Sequence, residues 1–435
     1  MSRVRELKLK GKSHDIPKRL VWDAWLKVKS NGGAAGADGV TLEQFEEDLS
    51  GNLYRLWNRM SSGSYHPGPV RAVEIPKKGK QGGIRVLGIP NVVDRVAMVA
   101  AATALEPSVE PVFHEDSYGY RPGRSPVDAV AVCRERCWKR DWVVDLDIRA
   151  FFTQLDQGWL ERFLEHRIAD KRILRLIQKW LRAGVIEDGE WSDTEAGTAQ
   201  GASVSPLLSN VFLHYVFDLW ADQWRRRKAR GDVVLVRFAD DFLAGFQHRE
   251  DAERFLADLR ERFAGFGLEL HPDKTRLIEF GRYAAERRKA RGDRKPETFE
   301  FLGFTHICAK DRHGRFKLKR VTSKEKMRSK LKAVKTEMRR RMHLPIPEQG
   351  RWLARVLEGH YNYYAVPDNS EAMRAFRRRV VRHWRAALKR RSQKGWTTWE
   401  RIDRLAARWL PQPRILHPWP DKRFDAKTRG RSPVR

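Results

Sequence analysis

Two adjacent aspartates, Asp240 and Asp241, stand between two apolar runs, VVLVRF (233–238) and FLAGF (242–246). Short runs of β-branched and aromatic residues predict two strands joined by a tight turn. Two carboxylates on one turn repel each other unless a cation neutralises them. The pair therefore predicts a bound divalent metal, with Mg²⁺ the expected ion. A hydrated turn facing solvent is the alternative, and the apolar strands on both sides argue against it.

A second acidic strand supplies partners for this pair. In WVVDLDI (142–148), strand alternation places Asp145 and Asp147 on the same side. Three carboxylates from two neighbouring strands can hold two Mg²⁺ ions about 3.5 to 4 Å apart, one activating a primer 3′-hydroxyl and the other stabilising the leaving pyrophosphate. This chemistry is nucleotidyl transfer, and it needs positioning and charge neutralisation but no covalent protein intermediate.

The charge balance points to a polyanionic partner. The 435 residues include 87 Lys and Arg against 56 Asp and Glu, a formal net charge of +31, and 16 Trp residues. Such a chain is expected to bind nucleic acid in a salt-sensitive way. A small packaging protein is the alternative, but those chains are short and poor in Trp.

The sequence predicts no membrane association and no disulfide framework. No run approaches the roughly 20 apolar residues of a membrane span, and the N-terminus lacks the apolar core of a signal peptide. We therefore expect a cytoplasmic, nucleoid-associated protein. The three cysteines, Cys133, Cys137 and Cys308, suit a reducing compartment. Cys133 and Cys137 share a helical face and are expected in the core.

Clusters of Gly, Pro and Ser, which are typical of turns and loops, predict a division of the chain into four regions. These are 1–60, 61–310, 311–410 and 411–435, and the last is a basic tail. The second is mixed α/β. The pattern is almost wholly helical from 321 onward, where Thr322 and Glu325 have capping-box spacing. Two amphipathic helices follow, one of them at 371–391. The first has an apolar stripe and other faces rich in cations, and we expect four of these to bind RNA: Lys324, Lys326, Arg328 and Lys330.

Several motifs in fixed order resemble one family, the group II intron reverse transcriptase/maturase. FADD (238–241) resembles the YADD-type box of reverse transcriptases, and LDIRAFFTQLD (146–156) resembles the motif with the first metal aspartate. The other matching blocks are GGAAGADGVTLEQF (32–45), IPKKGKQGGIRVLGIPNVVDRV (75–96), DSYGYRPGRSPVDAV (116–130), GTAQGASVSPLLSN (197–210), LHPDKT (270–275) and FEFLGF (299–304). The resemblance covers residues 30–420 and is specific through the combination of blocks.

The resemblance implies an α+β, right-hand polymerase fold, with fingers and a palm carrying an antiparallel sheet, followed by an α-helical thumb/maturase domain. It assigns the two Mg²⁺ ions to Asp147, Asp240 and Asp241, with the backbone of Ile148 as a further ligand. Phe152 would exclude a ribose 2′-hydroxyl, whereas the neighbouring Phe151 either contacts the nucleotide or packs in the core.

Four further residues would contact the nucleotide or line the nascent base pair by the same resemblance: Arg85, Lys80, Gln200 and Lys274. Arg85 maps to the cation that meets the triphosphate, since phosphate recognition needs cations. Gln200 and Lys274 have structural roles as alternatives. Two positions depart from the family pattern: Phe238 replaces the usual Tyr, and Ala199 stands where Pro often precedes the Gln-Gly pair. Neither departure removes a metal ligand.

The aromatic segment GHYNYYAVP (359–367) resembles part of the maturase region. Its tyrosines, among them Tyr361 and Tyr364, either stack on structured RNA or pack in a core. RILHPWPDKRFD (414–425) resembles the end of compact bacterial members, so a form without the Cys- and His-rich endonuclease domain is expected.

The resemblance implies an RNA-directed DNA polymerase that binds its group II intron RNA, assists splicing and supports intron mobility by target-primed reverse transcription. Its partners would be the intron RNA, a target DNA primer and deoxynucleoside triphosphates, with a homodimer as a further option. Two alternatives stay open. One is a domesticated reverse transcriptase in a defence or CRISPR locus, and the other is a maturase that only assists splicing.

Overall fold

A computed structural model describes residues 16–76, 84–137, 140–168, 170–183, 185–187, 190–192, 203–391 and 397–427. The first part of the chain is helical and leads into a β-hairpin and a long buried helix. Its elements are α1 (Lys18–Asn31), α2 (Leu42–Glu47), α3 (Leu49–Ser62), β1 (Val70–Pro76), β2 (Ile84–Ile89) and α4 (Val92–Val109). Thr41 and Gln44 form a capping box at the start of α2.

The central part alternates strands and helices, as the sequence predicts. Its elements are α5 (Pro126–Cys137), β3 (Trp142–Asp147), α6 (Phe151–Gln154), α7 (Gln157–Arg167), α8 (Lys171–Leu181), β4 (Val185–Glu187), β5 (Glu190–Ser192), α9 (Ser205–Leu213), α10 (Leu219–Arg227), β6 (Val233–Phe238), β7 (Asp241–Phe246), α11 (Arg249–Ala264), β8 (Arg276–Glu279) and α12 (Ala284–Ala290). A π-helical segment, His214–Asp218, joins α9 to α10.

Two four-stranded sheets lie in this part of the chain. One has the order β2-β1-β4-β5 and is antiparallel except for the pairing of β1 with β4. The other has the order β6-β7-β3-β8 and is antiparallel throughout. This second sheet contains both acidic strands as direct neighbours, because β3 pairs with β7. The predicted α+β class with an antiparallel sheet is confirmed.

Strand alternation sends the residues of β3 into two different cores. Val144 and Leu146 pack into the larger core, together with Phe242 of β7 and the helices α4, α9 and α11. Val143 and, from β7, Leu243 pack into a second core with α5. Cys133 and Cys137 are buried in this second core, as expected. The face of β3 that carries the aspartates is thus the face toward α5 and the strands that follow.

A third, smaller sheet connects the central part to the helices at the end of the chain. It consists of β9 (Phe299–Phe301), β10 (Phe304–Lys310) and β11 (Phe316–Thr322) in the order β11-β10-β9. The predicted boundary at 310/311 falls inside the β10–β11 hairpin. The helical region begins only after it, with α13 (Lys324–Arg340), α14 (Ile346–Tyr364), α15 (Ser370–Lys389) and α16 (Trp399–Trp409).

The predicted capping box at Thr322 and Glu325 is wrong. Thr322 is still part of β11, and Ser323 is the N-cap residue of α13 without a side-chain hydrogen bond to the helix. The Ser323 hydroxyl donates instead to Glu300, at 2.8 Å, which ties the helix start to β9. The predicted apolar stripe of α13 is correct, since Leu331, Val334 and Met338 are buried in the helical core. Sequence spacing alone could not distinguish the two capping arrangements.

The C-terminal region does not behave as a free tail over its described length. Residues Pro420–Lys427 form a last helix, α17, which packs against α5. Arg423 on α17 makes an ion pair with the buried Asp128 of α5. Trp419, just before α17, lies under the guanidinium group of Arg134, 5.0 Å from its ring centroid. None of the helices described is both long and apolar enough to cross a membrane.

Candidate active site

The two adjacent aspartates lie where β6 and β7 meet at a tight hairpin turn, as predicted. Phe238 and Asp241 form the last cross-strand pair of β6 and β7, which leaves Ala239 and Asp240 as the turn. Ala239 has a left-handed backbone, with φ of 56°. Gly119 packs against this turn so closely that a Cβ atom on it would lie 2.3 Å from the Ala239 amide nitrogen. A side chain at 119 would therefore displace the turn.

The register of β3 and β7 brings the predicted aspartates together. Asp147 is the direct cross-strand partner of Asp241, so their Cβ atoms lie about 4.5 to 5.5 Å apart. Asp240 follows on the adjoining turn. Asp145, on the same face of β3, pairs instead with Leu243 and makes an ion pair with Arg276 at 3.2 Å. The geometry separates Asp147, which faces the double aspartate, from Asp145, which is held by an arginine.

Burial and like charges make this cluster electrostatically costly without a cation. Burial, reinforced by Asp145, Asp240 and Asp147, raises the pKa of Asp241 to about 7. Burial also raises the pKa of Asp145 to about 6, although Arg276 opposes the shift. Carboxylates that destabilise one another in this way are stabilised by a bound cation. The donor set, oxygen atoms only, suits a hard ion such as Mg²⁺.

No three His, Cys, Asp or Glu side chains within the described ranges are already close enough together to hold a metal ion. The backbone at Ile148 is compatible with a ligand role. Ile148 forms an isolated antiparallel bridge with Leu270, and the hydrogen bonds of this bridge are made by its neighbours, Arg149 to Glu269 and His271 to Asp147. The carbonyl of Ile148 is therefore not consumed by this bridge.

Lys274 lies at the same strand end as the aspartates. Its Nζ atom donates a hydrogen bond to Oδ2 of Asp147 at 2.9 Å, and both side chains are partly exposed. The lysine comes from the loop between α11 and β8, which the Ile148–Leu270 bridge holds next to β3. Lys274 thus brings a positive charge to the site where the sequence predicts nucleotide contact.

The two phenylalanines after β3 have different environments. Phe151 is 2% exposed and packs in the larger core, against Phe212. Phe152 is only partly buried, with its ring 5.3 Å from that of Phe151. Phe151 therefore packs in the core, which is one of its two predicted roles, whereas the ring of Phe152 remains accessible. Phe238, which stands where the family pattern has Tyr, lies 6.0 Å from the exposed ring of Tyr120.

Sequence reasoning missed a contact between the β9–β10 turn and Asp241. The Leu302 backbone N–H, in the β9–β10 turn, donates a hydrogen bond to the Asp241 carboxyl group and lowers its pKa against the larger effect of burial. The carbonyl of Leu302 accepts a hydrogen bond from the Tyr363 hydroxyl of α14 at 2.8 Å. Leu302 lies within the FEFLGF block, but nothing in its residue type indicates that a backbone amide would act there.

The residues predicted to bind RNA divide into two groups. Lys324, Lys326, Arg328 and Lys330 are all exposed on α13. By contrast, Tyr361 is 4% exposed in the helical core, and Tyr364 is partly buried with its ring 5.1 Å from Phe304. Both tyrosines are therefore packed against other residues of the protein, which is one of their two predicted roles.

Three predicted nucleotide contacts are not placed by the structure. Lys80 and Gln200 lie outside the described residues, as does Ala199. Arg85 belongs to β2, where its backbone pairs with Ile75, but its side chain is outside the described part.

Comparison with known proteins identifies the family to which the chain belongs. Residues 75–306 match the family model described as "Reverse transcriptase (RNA-dependent DNA polymerase)". The matched segment contains all three aspartates, both phenylalanines and Lys274. Since it spans more than half of the chain, the chain belongs to the reverse transcriptase family. Its fold is accordingly that of a right-hand polymerase.

The similar proteins narrow the class to the group II intron reverse transcriptase/maturase group. Protein YkfC of Escherichia coli (strain K12) is 29% identical over 348 residues, 72% of this chain and 86% of that protein. Group II intron-encoded protein LtrA of Lactococcus lactis subsp. cremoris is 34% identical over 193 residues, 44% of this chain and 32% of LtrA. Putative COX1/OXI3 intron 2 protein of Saccharomyces cerevisiae is 30% identical over 198 residues, 45% of this chain and 23% of that protein. The last two alignments each span less than a third of those relatives.

Proposed function

We propose that the protein is an RNA-directed DNA polymerase whose reaction depends on divalent metal at Asp147, Asp240 and Asp241. The observation that carries the proposal is the cross-strand pairing of Asp147 with Asp241, beside a turn that adds Asp240. Mg²⁺ bound there would activate the primer 3′-hydroxyl and neutralise the charge of the leaving pyrophosphate. The carbonyl of Ile148 is the proposed backbone ligand.

The other residues of the site would select and orient the substrate. The accessible ring of Phe152 would contact the sugar and leave no room for a 2′-hydroxyl, which favours deoxynucleotides. Lys274, already beside Asp147, would supply positive charge where the triphosphate arrives. Arg85 in β2, together with Lys80 and Gln200, remains a proposed contact by resemblance.

Separate substitution of each of the two β3 aspartates tests which of them binds metal. We expect Asp147→Asn to abolish magnesium-dependent primer extension, because a neutral amide cannot replace a metal-binding carboxylate. Asp145→Asn is the matched control: it removes a carboxylate from the same face of the same strand, but one that is paired with Arg276. We expect it to retain extension. Loss of extension in Asp145→Asn but not in Asp147→Asn would reverse the assignment.

The helical region is the proposed RNA-binding surface. A groove of about 340 Å³ lies between α13 and α15, lined by Arg328, Leu331, Arg379, Arg382 and His383. Its lining has three arginines and no acidic residue, and the three arginines are exposed. Lys324, Lys326 and Lys330 extend the positive charge along α13. Arginines grouped around an open groove suit the phosphates of an RNA backbone.

Salt dependence of RNA binding tests this surface. We expect Arg328→Gln, Arg379→Gln and Arg382→Gln in one variant to weaken RNA binding. The slope of log affinity against log salt should fall by about 0.7 to 0.9 for each RNA phosphate that the variant no longer neutralises. The control variant carries Arg175→Gln, Arg227→Gln and Arg260→Gln, which remove three exposed charges outside the helical region. Equal changes in both variants would mean that net charge, and not the groove, governs binding.

We further propose that the bound RNA is a group II intron RNA, that the protein assists its splicing and that it later copies this RNA from a DNA primer at the target. Similarity to LtrA and to the COX1/OXI3 intron 2 protein, both named as intron proteins, supports this proposal. Asp240→Ala should abolish DNA synthesis but leave RNA binding and splicing assistance largely intact. Parallel loss of all three activities in a folded Asp240→Ala protein would contradict such a division of labour.

A further inference from the structure

A fully buried arginine lies two residues before the turn that carries Asp240. Arg237 is 1% exposed, and on β6 it faces the larger core together with Leu235. A buried guanidinium group is costly unless it is paired and hydrogen-bonded. Its strand neighbours on this face, Leu235 and the cross-strand partner Phe242, are apolar, so the sheet itself does not require a charge here. The arginine therefore calls for a role that a hydrocarbon side chain cannot perform.

The guanidinium group of Arg237 joins three segments of the chain. Nε and Nη2 donate to the two carboxylate oxygens of Asp218, at 2.7 and 2.6 Å. Nη1 donates to Oδ1 of Asn210 on α9 at 3.0 Å and to the carbonyl of Ala239 at 3.1 Å. Asp218 and Asn210 are themselves buried, at 4% and 0% exposed. Asp218 ends the π-helical segment, a rare backbone form that often occurs at functional sites.

The contact with Ala239 reaches the active site directly. The Ala239 carbonyl belongs to the peptide group that leads into Asp240. Ala239 also has the left-handed backbone, which is unfavourable for a residue other than glycine and needs support from its surroundings. Gly119 packs on the Ala239 amide, and the Asn210 side chain donates to the Gly119 carbonyl at 2.7 Å. The network thus contacts both the amide and the carbonyl of Ala239.

We propose that Arg237 is a positioning residue that, with Asp218 and Asn210, fixes the peptide before Asp240 so that the double aspartate is preorganised for metal binding. Sites that bind metal in a defined geometry need such support, because small displacements of a ligand weaken coordination. The inference rests on the proposed polymerase function but adds residues that do not themselves touch substrate or metal.

Two variants separate positioning from simple stability. Arg237→Met removes the guanidinium partner of the buried Asp218 and should destabilise the protein. Arg237→Met combined with Asp218→Leu replaces the whole ion pair by apolar side chains, an exchange that is often neutral or stabilising. We expect the double variant to recover thermal stability. We also expect it to need about tenfold more Mg²⁺ than the wild-type protein for half-maximal primer extension.

Binding of Mn²⁺, measured by electron paramagnetic resonance, gives a readout that does not require polymerisation. The double variant should bind Mn²⁺ about tenfold more weakly, while its RNA binding stays unchanged. Arg320→Met, at another buried arginine on β11, is the control for burial alone and should keep wild-type metal affinity. A double variant with recovered stability and wild-type Mn²⁺ affinity would overturn the inference. A wild-type protein that binds Mn²⁺ but never extends a primer would instead contradict the proposed function.

Discussion

Lys274 donates a hydrogen bond from Nζ to Oδ2 of Asp147 over 2.9 Å, although the two residues are 127 positions apart in the chain. The lysine therefore occupies an oxygen of the carboxylate that is proposed to bind metal. Because both side chains are partly exposed, the ion pair is weak, on the order of 0 to 1 kcal/mol. A bound cation can displace it at little cost, which leaves the lysine available for a nucleotide phosphate.

This arrangement predicts opposite effects of Lys274→Met on metal and nucleotide. Loss of the competing ammonium group should lower the Mg²⁺ concentration for half-maximal activity, by up to about fivefold. The KM for deoxynucleoside triphosphates should rise, because the variant has no cation at this position to bind a phosphate. Titrations of Mg²⁺ and of nucleotide in a primer-extension assay measure both effects. Lys274→Arg keeps the charge and is the control; a Lys274→Met protein with an unchanged nucleotide KM would refute the phosphate role.

Sugar selection is expected to depend on Phe152 and not on Phe151. Phe152→Val should open space beside the sugar and raise the efficiency of ribonucleotide incorporation about tenfold or more relative to deoxynucleotides. Phe151→Leu, in the buried neighbour, should lower thermal stability without changing this ratio. The ratio of kcat/KM for the two nucleotide types gives the comparison. Relaxed selection in Phe151→Leu alone would show that Phe152 is not the gate.

The raised pKa of Asp241 predicts a pH dependence of metal binding. Its pKa lies near 7 and not near the usual 3.8, so the carboxyl group keeps its proton through the acidic range. Mg²⁺ must compete with that proton, and its apparent affinity should increase as pH rises towards about 7 and level off above. The stability of the metal-free protein should change in the opposite direction. Because ionisation of this buried carboxyl group is unfavourable, the free energy of unfolding should fall as pH rises from the usual pKa of 3.8 to the raised pKa of about 7.

Thermal unfolding with and without Mg²⁺ at pH 5.5 and pH 8 checks both statements. Magnesium should raise the melting temperature clearly at pH 8 and little at pH 5.5. In Asp241→Asn, which carries no titrating group at this position, the metal effect should vanish at both values. A larger stabilisation by Mg²⁺ at the acidic pH would contradict the assignment.

The hydroxyl group of Tyr363 should influence catalysis although it lies on α14. Tyr363→Phe removes its hydrogen bond to the Leu302 carbonyl, worth about 1 kcal/mol, and loosens the turn whose amide binds Asp241. We expect the rate of nucleotide addition to fall by about fivefold, with RNA binding unchanged. Tyr361→Phe is the matched control, since that hydroxyl contacts Pro411 instead, at 3.5 Å. Equal rates for both variants would show that the turn does not need this bond.

The parts of the fold that follow hydrophobic periodicity could be predicted from the sequence. Alternation in 142–148 and the apolar runs around Asp240 identified β3, β6 and β7, and the stripe of α13 identified its buried face. Helix ends and the boundaries between regions are harder to predict from the sequence. Thr322 and Glu325 have capping-box spacing, but the β10–β11 hairpin continues through Thr322, which pairs with Phe304. The docking of α17 on α5 includes an ion pair, Arg423 with Asp128, which no local pattern indicates.

Within the site, residue type identified the groups that act through their own chemistry. Such groups are the aspartates on adjacent strands and Lys274 in the LHPDKT block. Residues that act through backbone atoms or from within the core could not be found in the same way. Leu302 contributes an amide, and Arg237 on β6 gives no sign in the sequence that it is buried or that Asp218 is its partner. Only the three-dimensional arrangement shows that both contact the double-aspartate hairpin.

Primer extension on an RNA template tests the central claim most directly. Purified wild-type protein, Mg²⁺, a DNA primer and deoxynucleoside triphosphates should give full-length DNA, and ribonucleotides should give little product. Asp240→Ala, checked for folding and RNA binding, should give none under the same conditions. Extension by Asp240→Ala at the wild-type rate, or no extension by a wild-type protein that binds RNA tightly, would contradict the account of this site as a polymerase centre.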